Sequence, residues 1–234
     1  MATLPLDLVV FDIMGTLVKD IGAMENALKG ALSHHSIPFA LADLMAMRGA
    51  GKIAGFTNLI ERTIGQGHEP EWSRAKATEV YTTFKRLLRE GYAKGPAQEI
   101  PGAEATMRWL KSRGIMIAAT SAVDIDLLQP LMDRLGWADG MFDCMVTTEE
   151  VPMGRPAPYM IFVAMMRTGI LDVHRVAAVG DTSVDLKAGT NAGAGWVVGV
   201  LSGAHDLDRL GAVPHTHIIN SVAELPKIFE SRPA

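Results

Sequence analysis

The chain has 234 residues, 48% of them hydrophobic, a formal net charge of -4 and a single cysteine, Cys144. That length fits one large domain, or one domain with a smaller insert. The balanced charge, without a basic stripe or cluster, excludes a typical nucleic-acid partner, and a lone cysteine excludes an internal disulfide. Since the first residues do not read as a signal peptide and no apolar run reaches the roughly 18 residues of a membrane helix, we expect a cytoplasmic protein that needs no membrane.

The first predicted strand, residues 6–11, is a continuous apolar run, which is typical of a strand buried on both faces of a parallel sheet. From about residue 20 to residue 95 the pattern is helical throughout. Its first helix carries an apolar stripe at three- and four-residue spacing and ends at Ile37-Pro38, because proline cannot continue a helix. Gly91 and the Gly95-Pro96 pair predict a hinge after the last helix. The further helices of this block are predicted at residues 41–47, 53–64 and 71–90.

After this block, strands and helices alternate. The strands are predicted at residues 115–119, 145–147, 176–179, 196–200 and 218–219, and the helices at 103–113, 125–135, 158–168, 185–191 and 222–229. Such alternation predicts βα units, a parallel sheet and right-handed crossovers. The helical block is then an insertion at the carboxyl end of the first strand, where ligands bind in open α/β sheets. We therefore predict a core of residues 1–19 and 96–234 and a helical cap of residues 20–95.

Polar groups follow four of the predicted strands, at residues 12–16, 120–122, 154–158 and 180–185. Because parallel strands end at a common edge, we expect these groups to converge. Asp12 is a candidate nucleophile for a phosphorus centre, and Ser121 and Arg155 are candidates for holding the oxygen atoms of a phosphoryl group. Backbone N–H groups that follow Asp12 would add donors for the same oxygens.

Carboxylates at the same edge indicate a metal site. Asp12 and Asp181 would supply oxygen ligands for a hard divalent ion such as Mg²⁺. Asp185 lies one helical turn after Asp181, and would either ligate the ion or orient a metal-bound water. Met14, two residues after Asp12, offers only its backbone carbonyl to the ion.

This ordered set of four motifs, with the position of the helical block, resembles the haloacid dehalogenase superfamily over essentially the whole chain. The resemblance implies an α/β fold with a Rossmann-like parallel sheet core and an inserted all-helical cap domain of the C1 type. It also implies a hydrolase that forms an aspartyl-phosphate on Asp12 with Mg²⁺ as cofactor. Its substrate-binding positions, matched to this chain, are Met14, Gly15, Thr16, Gly49, Lys52, Ser121, Ala122 and Arg155.

A narrower resemblance is to the phosphonatase branch, the phosphonoacetaldehyde hydrolases and their relatives. Met14 stands where ordinary phosphatases of the superfamily have an aspartate, residues 146–158 look like the branch's loop, and residues 49–52 look like the cap loop that carries its lysine. The resemblance implies that Lys52 is a catalytic residue that forms an imine with a substrate carbonyl. The imine accepts the electrons of the breaking carbon–phosphorus bond, so the leaving group is an enamine that needs no acid at residue 14.

Alternatives stay open at this point. Gly55 stands where phosphonatase has a histidine, and Lys52 either forms an imine or only binds an anionic group. The leading prediction is a phosphonatase-like hydrolase that acts on a small phosphonate or phosphate. The second is a phosphatase for small phosphate esters, similar to phosphoglycolate phosphatase. The remaining alternatives are a 2-haloacid dehalogenase and a binding protein without turnover. A homodimer through the apolar stripe of the first cap helix is also predicted.

Overall fold

The computed structural model describes residues 6–19, 22–47 and 51–231. Its strands are β1 (Leu8–Asp12), β2 (Met116–Ser121), β3 (Cys144–Thr147), β4 (Val176–Gly180), β5 (Trp196–Val200) and β6 (His217–Ile219). They form one parallel sheet in the order β3-β2-β1-β4-β5-β6. Every residue of β1 is buried, because this strand lies at the centre of the sheet with helices on both faces.

The α-helices in the described part of the chain are α1 (Ala23–His34), α2 (Leu41–Ala46), α3 (Lys52–Thr63), α4 (Pro70–Lys94), α5 (Ala103–Ser112), α6 (Ile125–Leu135), α7 (Tyr159–Thr168), α8 (Ser183–Ala192), α9 (Leu207–Gly211) and α10 (Leu225–Ser231). Helices α1–α4 lie between β1 and α5 as one insertion, which we call the helical insertion. In the described ranges, none of the helices combines the length and hydrophobicity needed to cross a bilayer.

The predicted fold class is confirmed: a Rossmann-like parallel sheet carries a block of helices inserted after its first strand. The bounds of a separate cap domain at residues 20 and 95 stay a prediction. One hydrophobic cluster runs through the insertion and the sheet, since it contains Leu28 and Phe84 of the insertion as well as Phe11 and Ile117 of the strands.

Two details differ from the sequence-based prediction. The last helix of the insertion does not end near Gly91 but continues to Lys94. Gly91 lies where α4 packs on α1, and a Cβ at this position would be in ordinary van der Waals contact with the Cβ of Ala23, at 3.4 Å. Helix α9 was not predicted, because its five residues are too short to show a helical period.

The predicted dimer surface is also occupied within the chain. The apolar stripe of α1 is buried in the monomer, mainly against α4, at Ala23, Ala27, Leu28, Ala31 and Leu32. The stripe is therefore not available to a second copy of the chain, and the predicted dimer cannot form through it.

Candidate active site

Most of the predicted site residues meet at one cavity of about 750 Å³ at the carboxyl edge of the sheet. Asp12 is the last residue of β1 and is paired in register with Thr120, next to Ser121 at the end of β2. The residues predicted from the sequence that line this cavity are Asp12, Met14, Gly15, Lys52, Ser121, Ala122, Arg155, Asp181 and Asp185. Thr16 is fully buried behind the cavity, and Gly49 lies outside the described residues.

The chain turns sharply after Asp12. The N–H of Gly15 donates to the carbonyl of Val18 at 2.7 Å, and the N–H of Leu17 donates to the carbonyl of Ile13 at 2.9 Å. Gly15 has φ +90°, and a Cβ there would lie 2.4 Å from Oδ2 of Asp181. Glycine is therefore required at this position both for the left-handed backbone and for the approach of Asp181.

Arg155 joins the nucleophile candidate to the β4 motif. Its Nη1 donates to Oδ1 of Asp12 at 2.5 Å and also to Oδ1 of Asp185. The guanidinium is buried, and its Nε is a buried donor with no hydrogen-bond partner in the described part of the chain. Because such a donor costs free energy until it is satisfied, an anionic oxygen that enters the cavity would gain by accepting from Arg155.

Asp181 is held by groups from two different loops. Its Oδ2 accepts from the N–H of Ala204 at 2.6 Å, and its Oδ1 is 3.4 Å from the Thr16 hydroxyl. Gly203 packs directly on this side chain, since a Cβ at Gly203 would lie 2.0 Å from Oδ2 of Asp181. The carboxylate is thus fixed against the turn that follows Asp12.

Burial, together with neighbouring carboxylates, raises the pKa of Asp12 and of Asp181. Burial raises the pKa of Asp12 to about 6, with Arg155 opposing this shift and Asp185 adding to it. Burial raises the pKa of Asp181 well above its usual value, and the charges of Asp12 and Asp185 raise it further. For both carboxylates, burial and neighbouring negative charge outweigh the opposing effect of the Arg155 guanidinium.

This donor set fits a hard divalent cation. Oxygen ligands from Asp12 and Asp181 suit Mg²⁺, and its two charges would relieve the repulsion between these carboxylates. The backbone carbonyl of Met14 belongs to the same turn. These three residues would hold the ion, which would supply positive charge at the carboxyl edge of the sheet.

Asp185 has a different position from the two metal-ligand candidates. Its Oδ2 accepts from the N–H of Thr182 at 2.9 Å and from the Thr182 hydroxyl; Thr182 is the N-cap residue of α8. Its Oδ1 accepts from Arg155. Within the described residues, no group of three or more His, Cys, Asp or Glu side chains has a metal-binding arrangement. Asp185 pairs with Arg155 in this structure, and its role as a metal ligand stays a prediction.

Lys52 is buried, with 3% of its surface exposed, although it is the first residue of helix α3, directly after Gly51. Its Nζ donates to the carbonyl of Met47 at 2.7 Å. Burial lowers the pKa of Lys52 to about 7, the charge of Arg155 lowers it further, and Asp12 opposes the shift. The amine thus belongs electrostatically to the same site as Asp12 and Arg155.

Sequence reasoning missed the loop after β5. In this loop the Ser202 hydroxyl donates to the carbonyl of Gly15 at 2.8 Å, while Gly203 and Ala204 contact Asp181. The available signal was Ser202-Gly203 directly after a buried strand, at the same edge as the other motifs. Lys19 and Glu25 also line the cavity, and no sequence pattern distinguished them.

Comparison with known proteins gives three kinds of similarity. Residues 6–193 match the family model of haloacid dehalogenase-like hydrolases. The chain is 31% identical over 189 residues to a phosphonoacetaldehyde hydrolase from Parabacteroides distasonis, covering 70% of each chain. It is 28% identical to the phosphonoacetaldehyde hydrolase of Bordetella pertussis, covering 98% of this chain and 94% of that protein. A phosphonoacetaldehyde hydrolase-like protein from Oleispira antarctica shares the fold, with a TM-score of 0.81 at 19% identity, over 97% of this chain and 92% of that one.

Proposed function

Since the chain belongs to the haloacid dehalogenase-like hydrolase family, we propose that it is a Mg²⁺-dependent, phosphonatase-like hydrolase that uses Asp12 to take a phosphoryl group from a small phosphonate. The observation that carries this proposal is Lys52, a buried lysine with a pKa lowered to about 7, in the same cavity as Asp12 and Arg155. With this pKa, about half of the amine is neutral at pH 7, and the neutral form is the one that attacks a carbonyl group. The phosphonoacetaldehyde hydrolases among its relatives support the same reaction class.

The reaction has two covalent stages. The Lys52 amine adds to the substrate carbonyl and water leaves, which gives an imine. Asp12 then attacks the phosphorus atom, the carbon–phosphorus bond breaks, and its electron pair moves into the imine to form an enamine. Protonation and hydrolysis of the enamine release the carbonyl product, and water hydrolyses the aspartyl-phosphate to phosphate and free Asp12.

The remaining residues position the phosphoryl group. Arg155 and the Ser121 hydroxyl donate to its oxygens, and the turn around Gly15 supplies backbone N–H groups. When bound, Mg²⁺ supplies positive charge to the same oxygens. Met14 has no proton to give, which agrees with an enamine leaving group.

Borohydride trapping tests the imine directly. We expect reduction in the presence of a carbonyl-bearing phosphonate, such as phosphonoacetaldehyde, to attach the carbon fragment to Lys52, as identified by peptide mass spectrometry. Lys52→Ala is expected to lose phosphate release by about 10³-fold or more. Lys19→Ala is the matched control, because Lys19 also lines the cavity but is exposed. Labelling of Lys19 instead of Lys52, or full activity of Lys52→Ala, would refute the imine.

The second candidate is a phosphatase for small phosphate esters, similar to phosphoglycolate phosphatase. The hydrogen bond from Lys52 Nζ to the Met47 carbonyl favours it, because this bond suits an ammonium that only binds an anion. Mg²⁺-dependent release of phosphate from esters, retained when Lys52 is replaced by arginine, would support this candidate over the phosphonatase. Arginine keeps the positive charge but cannot form the imine.

A further inference from the structure

Asp124 lies three residues after Ser121, immediately before helix α6, where an aspartate usually caps the helix. Here its side chain makes no capping hydrogen bond. The carboxylate instead bonds to the helical insertion: Oδ1 accepts from the Tyr81 hydroxyl at 2.6 Å, and Oδ2 lies 3.2 Å from Nζ of Lys85. Asp124 thus makes contacts to a different element in place of the local capping bond.

Tyr81 and Lys85 are one turn apart on the same face of α4. The Lys85 ammonium also lies 5.0 Å from the centre of the Tyr81 ring. Burial and the bond to Asp124 raise the pKa of Tyr81, so the phenol keeps its proton and acts as a donor. On the remaining side, Glu149 follows β3, and its pKa is raised by partial burial and by Asp124.

The turn between Ser121 and Asp124 connects this cluster to the cavity. The N–H of Val123 donates to Oγ of Ser121 at 3.1 Å, which leaves the hydroxyl proton of Ser121 for another acceptor. Ser121 is fixed on one side by the pairing of β2 with β3, where it is opposite Thr147. On the other side, the turn ends at Asp124, which is held by Tyr81 and Lys85 of α4.

We propose that Tyr81 and Lys85 are positioning residues that act through Asp124 to aim the Ser121 hydroxyl at the phosphoryl group. They link docking of the helical insertion to phosphoryl binding, because the contacts to Asp124 exist only when α4 lies against α6. The inference rests on the proposed function only in the assignment of Ser121 as a phosphoryl ligand.

Titration of the Mg²⁺-loaded full chain with inorganic phosphate, followed by calorimetry, tests this proposal. We expect Tyr81→Phe and Asp124→Ala to weaken phosphate binding by about tenfold, because the donor of Ser121 is no longer aimed. Asp124→Asn keeps an acceptor for the Tyr81 hydroxyl and should bind phosphate more tightly than Asp124→Ala. Lys85→Met, at a half-exposed position, tests the same link with little risk to folding.

Thr83→Val is the matched control. Thr83 also lies on α4, but its hydroxyl is 2.8 Å from Nε2 of His35 within the insertion, so this variant loses a hydrogen bond of α4 that does not reach the core. We expect it to leave the phosphate affinity unchanged. The proposal would be overturned if Tyr81→Phe, Asp124→Ala and Lys85→Met lowered the melting temperature but left the phosphate affinity unchanged. That result would show a purely structural role for these residues.

Steady-state kinetics separate this inference from the proposed function. In the Tyr81→Phe variant, we expect a higher KM for the phosphonate with a smaller change in kcat. If the wild-type protein binds phosphate but cleaves no phosphonate, the proposed function fails while the ratios of phosphate affinity still decide the role of Tyr81. Equal phosphate affinities in the wild type and the variants refute the positioning role whether or not phosphonates are cleaved.

Discussion

At the scale of single residues, burial changes the chemistry of Lys52. A lysine beside a glycine-rich loop is usually a solvated ammonium, but only 3% of Lys52 is exposed here. Loss of water disfavours the charged form, and the nearby guanidinium of Arg155 disfavours it further. The same two causes predict how its reactivity depends on pH.

Imine formation at Lys52 is expected to rise by about tenfold per pH unit below pH 7 and to level off above it. The reason is that the pKa is lowered from 10.5 to about 7, so raising the pH through 7 converts the ammonium into the reactive amine. The measurement is the rate of reductive labelling of Lys52 by a small aldehyde between pH 5 and about 9. A rate that still rises steeply at the upper limit would show an unperturbed lysine.

Gly203 makes a second prediction at this scale. Alanine at this position would place a Cβ 2.0 Å from Oδ2 of Asp181, so the carboxylate must move. We expect Gly203→Ala to weaken Mg²⁺ binding roughly 10–100-fold, measured by calorimetry. Gly211→Ala is the control, because a Cβ there has no neighbour within 4 Å. Equal Mg²⁺ affinity in both variants would exclude Asp181 as a ligand.

At the scale of elements, the pair α4 and α6 joins the insertion to the core. Asp124, immediately before the first turn of α6, contacts α4, and Arg134, in the last turn of α6, contacts α4 as well. Arg134 Nη1 donates to the carbonyls of Tyr92 and Ala93 at 3.3 Å each and to that of Gly95. These are the carbonyls that a helix end leaves without partners, so Arg134 caps α4 from another helix.

Arg134→Ala is expected to lower the free energy of unfolding by about 0.5–1.5 kcal/mol and to loosen the segment after α4. Limited trypsin digestion should then cleave faster after Lys94, and chemical denaturation should give the stability change. Arg86→Ala is the control, because Arg86 is an exposed residue of α4 that pairs with Glu90 of the same helix. Cleavage after Lys94 at the wild-type rate would contradict a capping role for Arg134.

At the scale of the whole molecule, the insertion and the sheet share one hydrophobic cluster. Phe56 and Phe84 of the insertion belong to the same cluster as Phe11 of β1 and Leu128 of α6. Apolar surface of the insertion would therefore be exposed if either part unfolded alone.

We expect a single cooperative unfolding transition, with a ratio of calorimetric to van't Hoff enthalpy of about one. Differential scanning calorimetry of the full chain measures this ratio. Mg²⁺ together with phosphate should raise the midpoint of the same transition, because ligands that bind only the native state stabilise it. Two separate transitions would show that the insertion unfolds independently of the sheet.

Local patterns in the sequence were sufficient to predict the fold class and the order of the site motifs. Strands and helices are visible because their hydrophobic periods are local, and the predicted strand at 196–200 and helix at 125–135 agree with β5 and α6. Because parallel strands end at a common edge, the sequence also predicted that Asp12, Ser121, Arg155 and Asp181 would line one site. Family resemblance singled out Lys52, which no local pattern would have done.

The environment of these groups could not be predicted from local sequence patterns and follows from the folded structure. The burial of Lys52, the pairing of Asp185 with Arg155 and the bond between Tyr81 and Asp124 each depend on residues that are distant in the chain or on water excluded by several elements. The loop after β5 reaches Asp181 for the same reason. Hydrophobic periodicity reports which face of an element is buried, but pKa values and ligand geometry depend on what the neighbouring elements bring to that face.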